Sequence, residues 1–335
     1  ARPRIALGDD EAALADLTRV QQIQPSMATD LALADLLRKL RRPDDEIAVL
    51  RRAHRSQPNN SAVRNKLAHA IATRDGNDVN WAEISELLST DSGVTPDNRF
   101  LYAVLLAAGG VRTESPSDVS ALRGSEQQQE KAIEILRGLI DEQNSRSDDA
   151  ARVLALVIYD RSKTLAADQQ ELKDQWLVEV RLLYESLGQN TPPQIADLYR
   201  YAIFLLECGD EQDDAKLTQI QSQLRSSAGG VLFALDVAIK QARQSGASVP
   251  EVVELWANAV GSDALLKEAD IAAIAGATLL QLDSADASVE WFEKAYRANP
   301  ESLLNYVVAL RRAGREEATV DLCSKHFETH GDAQS

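Results

Sequence analysis

The chain has 335 residues, of which 26% are charged and 5% aromatic, and its formal net charge is −16. An acidic chain repels phosphate backbones, so nucleic acid is a poor partner, and two cysteines are too few for a disulfide framework. No apolar run approaches the roughly 18 residues of a membrane helix, so no span is expected.

The opening Ala-Arg-Pro-Arg lacks the apolar core of a signal peptide and runs into Asp9-Asp10-Glu11, acids that suit the positive end of a helix dipole. That first helix carries Ala13, Leu17 and Val20 and is closed by Pro25. A second helix carries Leu33-Ala34 and Leu37, and a third carries Leu50 and Ala53 before Pro58, which stands 33 residues after Pro25. The helix after Pro58 puts Asn65, His69 and Thr73 four apart on one polar face, with Leu67 and Ile71 on the other. Between Trp81 and Pro96 the stripe Ile84, Leu87, Leu88 continues the pattern, although Asp91 stands where a small apolar residue is expected.

Gly109 to Ser125 is long for a connection within a helical hairpin, and suits either a binding loop or a tolerated insertion. Beyond it, Ala132-Ile133, Leu136 and Leu139 form another stripe, and Val153 to Tyr159 has the length of a buried helical run. Val180, Tyr184, Leu187 and Pro192 repeat the proline-closed spacing, followed by Tyr201-Ala202 and Leu205. The acidic turn Asp210 to Asp214 reads as dipole compensation for the helix it precedes. Ala275-Gly276 and Leu279, then Phe292, Ala295 and Pro300, restate the pattern of Leu33 to Pro58 at the same offsets.

In each good copy a large residue stands eight before the proline and a small one five before it, while Ala34 and Gly276 are small where two helices must approach closely. The pattern resembles the tetratricopeptide repeat, whose helix-turn-helix units recur about every 34 residues. The resemblance is clear in two units near the ends, covers most of the chain and is degenerate between about Ser89 and Leu172. It implies an all-α, right-handed solenoid of roughly eight to nine units along 1–335, serving as a non-catalytic scaffold for other proteins. Because the first unit opens on its second helix, the chain is expected to be cut from a longer repeat protein. The compartment is left open, with the cytoplasm preferred.

Catalytic chemistry finds no motif: no glycine-rich phosphate loop, nucleophile elbow or paired-cysteine metal site is present, and no cofactor is expected. Cys323, His326 and His330 share one helical face, but the segment lacks the glutamate after its first histidine that a zinc peptidase needs. It reads as a fraying terminal helix, and no metal site is assigned. Asp75, Asn77, Asp78 and Asn80 read as a solvated turn, since the glycine among them is misplaced for a calcium loop. Cys208 closes the stretch Phe204-Leu205-Leu206 and reads as a small core-edge residue.

In the resembled family the first helix of each hairpin lines the binding groove. The polar stripe Asn65, His69 and Thr73 would then face a partner, joined by Asp35 and Arg38; further along, Tyr199 with Ile203 suits either a more apolar groove patch or core packing. Only Asn65 fits the family's carboxylate-gripping pattern plainly, so a looser groove for an extended or helical peptide is the reading. The same stripe also suits a merely solvated face. Charge is uneven: through Asp75 there are 13 Lys and Arg against 10 Asp and Glu. Arg38, Lys39, Arg41, Arg42, Arg51, Arg52 and Arg55 either cover helix surfaces with their stems or form a basic dock for an acidic segment. The alternatives to a scaffold are a structural, self-associating segment or the repeat region of a longer protein whose enzymatic domain lies elsewhere.

Overall fold

The computed structural model describes residues 10–75, 79–88, 95–109, 124–190, 192–227, 229–262 and 266–330, and within them the chain is all-α, with 17 helices and no strand. It divides into two compact units, Ala1–Gln189 and Asn190–Ser335.

The first unit holds α1 (Asp10–Ile23), α2 (Met27–Lys39), α3 (Pro43–Ser56), α4 (Ser61–Asp75), α5 (Trp81–Leu88), α6 (Pro96–Ala108), α7 (Glu126–Asp141), α8 (Ser147–Ser162) and α9 (Gln170–Gly188). The second holds α10 (Ile195–Cys208), α11 (Asp214–Arg225), α12 (Val231–Ser245), α13 (Val249–Ser262), α14 (Glu268–Gln281), α15 (Ala285–Ala298), α16 (Leu303–Arg312) and α17 (Glu316–His330). Within each unit every helix packs on the next in sequence, and the first helices of adjoining hairpins also touch: α4 on α6, α6 on α8, α10 on α12 and α14 on α16. That double contact is the arrangement of tetratricopeptide-like hairpins, in which each buries its apolar face against its neighbours.

Local signals set the helix ends. Pro25 and Pro58 follow the last residues of α1 and α3, and Pro300 opens the short 3-10 turn after α15. Each removes the amide that another helical turn would require. At the opposite ends Ser26 accepts a hydrogen bond from the Thr29 amide at 3.2 Å, and Ser125 and Gln128 form a reciprocal capping box. Gly109 closes α6 in the left-handed region at φ 62°, a conformation that glycine adopts without a Cβ penalty. Asp91 and residues 110–123 of the expected long loop lie outside the described residues.

The small–large pattern read from the sequence is the packing pattern. Ala34, Leu50 and Ala53 are buried together with Ile47, Leu67 and Ile71 in the first unit, and Gly276, Phe292 and Ala295 are buried in the second. Burying one such leucine or phenylalanine contributes about 1.5–3 kcal/mol. A Cβ built on Gly276 would lie 3.0 Å from the Phe292 ring, so α14 and α15 meet there at glycine distance. The weaker stripes are core as well: Ile84, Leu87 and Leu88; Ala132, Ile133, Leu136 and Leu139; Val180, Tyr184 and Leu187; Tyr201, Ala202 and Leu205. Val20 departs from its expected packing role. The residue is 47% exposed, and the buried residue of α1 is Ala13.

Candidate functional site

In the first unit the α2–α3 turn faces the C-terminal half of α4 across a cleft of about 240 Å³, lined by Arg38, Arg41, Arg42, Glu46, His69 and Thr73. Three of the six groove residues expected from the sequence therefore come together here: Arg38, His69 and Thr73. The i, i+4 spacing of His69 and Thr73 on α4 places both on the side turned towards Arg38.

The charges of the cleft are mostly engaged. Arg38 grips the buried Glu46 with Nε and Nη2, at 2.8 and 2.7 Å, and Arg42 pairs with Asp45 at 2.7 Å. Arg41 differs: it is exposed, holds φ 57° at the hairpin turn and makes no ion pair among the described residues. An ionised guanidinium fork at the mouth of a cleft is suited to a carboxylate.

The remaining expected residues lie elsewhere. Asp35 is ion-paired to Lys66 on the neighbouring first helix, a contact that fastens α2 to α4 rather than offering a free acid. Asn65 sits a turn before His69, outside the cleft lining, and its Oδ1 accepts no hydrogen bond from the described residues.

Tyr199 belongs to the second unit and stands on α10 against α12. Its ring meets Phe233 at 4.7 Å between centroids, its hydroxyl donates to Asp236 at 2.7 Å, and Lys240 donates to that hydroxyl at 3.2 Å while also pairing with Asp236. Burial and then the Asp236 carboxylate push the Tyr199 pKa up. Burial works against the Lys240 ammonium, yet its bonds to Asp236 and Tyr199 outweigh that and lift its pKa. Tyr199 thus stays neutral and Lys240 charged near neutrality, and with Asp236 they form a fixed polar brace between first helices. Ile203 is half-buried on the same helix.

The basic helices of the first unit are less open than their sequence suggests. Lys39 pairs with Asp10 at 2.8 Å, Arg52 with Asp30 at 2.6 Å and Arg51 with Glu83 at 2.8 Å. On the second-helix side a larger cleft of about 380 Å³ lies between α3 and α5, lined by Arg51, His54, Arg55 and Glu83 over Leu67 and Leu87. The Lys39–Asp10 and Arg51–Glu83 pairs are partly exposed and contribute at most about 1 kcal/mol each, so they set register between repeats more than stability, whereas Arg52 reaches a buried Asp30.

At the far end, His326 on α17 shares a hydrogen bond with Tyr296 at 3.0 Å, Cys323 is half-buried, and the His330 side chain lies outside the described residues. Among the described residues no three His, Cys, Asp or Glu side chains are grouped to hold a metal ion, and no helix is long and apolar enough to cross a membrane. Sequence reasoning missed Glu46, Phe233, Asp236 and Lys240. A usable signal was present for one of them, because Phe233 follows Tyr199 by 34 residues, one repeat length.

No family model matches the sequence, and no curated protein matches it. Among solved structures, the human IFIT1 dimer with PPP-AAAA is similar at 15% identity and a TM-score of 0.31, over 95% of this chain and 72% of that one. The Cut9–Hcn1 hetero-tetramer of the APC/C is similar at 11% and 0.26, over 98% and 86% of the two chains. Yeast Tom70 is similar at 11% and 0.24, over 98% and 83%. At these TM-scores the likenesses carry no argument of their own, and the repeat is read from this chain's own residues and helix contacts.

Proposed function

We propose that the chain is a protein-binding scaffold without a reaction of its own, and that 1–335 acts as one repeat region. In this reading the first-helix side of the first unit takes an extended or helical peptide bearing an acidic residue. The observation that carries it is the cleft joining Arg38, His69 and Thr73 to Arg41, whose charge has no partner among the described residues. A preformed helical surface loses little entropy of its own on binding, which suits static recognition. Asn65, with its unfilled acceptor, would extend the contact along α4, and Tyr199 with Phe233 offers an aromatic shelf for the same kind of ligand on the second unit. An acidic peptide rather than nucleic acid fits a chain of net charge −16 that is locally basic at one turn.

The test is capture from the source extract, washed at moderate salt and read by mass spectrometry. A stoichiometric partner should be retained by the wild type and lost from Asn65→Ala with His69→Ala and, separately, from Arg41→Glu, with melting unchanged. Reversing an unpaired exposed cation should weaken an acidic partner about tenfold and flatten the salt dependence. Retention of the partner by all variants would move the site off α2 to α4.

Self-association has an observation in its favour as well. Val320 and Phe327 lie seven residues apart on one face of α17 and are 65% and 69% exposed. If that stripe pairs with a second copy, light scattering should show a mass that rises with concentration and falls to the monomer in Phe327→Asp. A constant monomer mass in the wild type would remove this reading.

A further inference from the structure

The first unit carries a third cleft, of about 500 Å³, between α7 and α9 over the C-terminal end of α8. Both walls are second helices of their hairpins, so this cleft opens on different elements from the one at the α2–α3 turn. Its apolar floor is Ile133, Leu172 and Trp176. One rim is a ladder of Glu126, Glu130 and Glu134, spaced i, i+4, i+8 on α7, with side chains 77%, 61% and 70% exposed. Like charges at that spacing oppose the helix that carries them, and the one lysine beside them, Lys131, meets Glu134 at 2.7 Å in an exposed i, i+3 pair that is weak, so the three acids keep their pull on a cation from outside.

Arg161, also lining the cleft, is an unusual counterpart. It is 7% exposed, donates through Nη2 to Glu126 at 2.9 Å, and lies 3.6 Å from Glu130. The Trp176 ring covers its guanidinium, with Cζ 5.2 Å from the ring centroid, and its Nη1 meets no acceptor among the described residues. A buried guanidinium nitrogen without an acceptor is costly, and it asks for an oxygen from elsewhere. The other guanidinium of the lining, Arg137, is already held by both oxygens of Glu179 at 2.9 and 2.6 Å and asks for nothing.

We propose that this cleft is a second docking site, and that its occupant is a basic amphipathic peptide segment of another protein. The occupant must be cationic for the glutamate ladder, apolar for the floor and an acceptor for Arg161. A peptide supplies all three, through lysine or arginine, an aliphatic side chain and a main-chain carbonyl. A polyamine offers no acceptor, and a nucleic acid offers acceptors but is repelled by the ladder. Nη1 is closed to solvent and donates in the guanidinium plane, so a carbonyl bound there would lie beside the half-buried Trp176 ring, and occupancy would be sensed by that ring.

The experiment is selection of a phage-displayed random peptide library on the full chain, followed by calorimetry with the synthetic winner. Selected sequences should carry two or more Lys or Arg beside an apolar residue, and binding should weaken as salt rises. Glu130→Gln with Glu134→Gln should weaken the peptide by about fivefold or more. Glu126 still holds Arg161 in that variant, and its melt is to match the wild type. The bound peptide should shift tryptophan emission in the wild type and not in Trp176→Phe, which keeps the apolar floor if the glutamine pair melts early. Asn65→Ala with His69→Ala should leave this affinity unchanged, which separates failure here from failure of the α2–α4 site. Absence of a basic consensus, or equal affinity for wild type, the glutamine pair and Trp176→Phe, would overturn the assignment.

Discussion

Ala295→Arg is expected to lower the stability of the second unit by about 3–5 kcal/mol, because it forces a long charged side chain into a fully packed position. Ala295 is completely buried on α15, its carbonyl accepts the closing amide of Asn299 at 2.8 Å, and Val289 and Phe292 are buried on the same helix. No buried carboxylate stands in the hydrophobic cluster of Val289, Phe292, Ala309 and Leu310 to receive the guanidinium. Repeat arrays lose cooperativity when one interface is weakened, so chemical denaturation followed by circular dichroism should split into two transitions. Ala53→Arg is the matching substitution in the first unit, at a position 1% exposed. A single transition at the wild-type midpoint in both variants would mean that the proline-anchored register has been misplaced.

The second large effect concerns the glycine–phenylalanine contact of the last clear repeat. Phe292→Ala should cost about 3–5 kcal/mol through lost burial and the cavity left behind. Gly276→Ala would gain roughly 1 kcal/mol of helix propensity in an open helix. Here its new methyl would stand 3.0–3.1 Å from three atoms of a ring that is itself 2% exposed and closely surrounded, so the net change should be destabilising. Combined with Phe292→Ala the same methyl enters the vacated space, and Gly276→Ala should turn stabilising. A double-mutant cycle should therefore show coupling well outside simple additivity. Additive changes would mean that the two side chains do not meet.

Those two predictions rest on positions that were readable before any coordinates. Proline spacing, a small residue five before it and a large one eight before it depend only on how one hairpin packs on the next, and that geometry recurs along the chain. The degenerate middle was legible to the extent that its stripes are core, as Ala132, Leu136 and Val180 show. The candidate sites were less so. Asp35 is paired to Lys66, 31 residues on, and Tyr199 is braced by Asp236 and Lys240, partners that lie a repeat away and that no single helix face contains. Arg51 with Glu83, Arg161 with Glu126 and Arg315 with Asp286 are likewise 29 to 35 residues apart. Searching for opposite charges at about one repeat length would have found many of these partners.

What the sequence by itself determined was the helical hairpin and its repeat, because helix periodicity, proline stops and steric size are properties of neighbouring residues and one local packing rule. What only the tertiary structure decided was which polar groups are spent between hairpins and which remain for a partner. An arginine's stem reaches across a whole helix width, so its charge is settled by what the next repeat presents. Thus Arg38 is consumed by Glu46 while Arg41, three residues later at a left-handed turn, is left without an ion pair among the described residues. For the same reason Arg161 is buried beneath Trp176 beside a glutamate ladder one repeat earlier in the chain, an arrangement that spacing along a single helix does not contain.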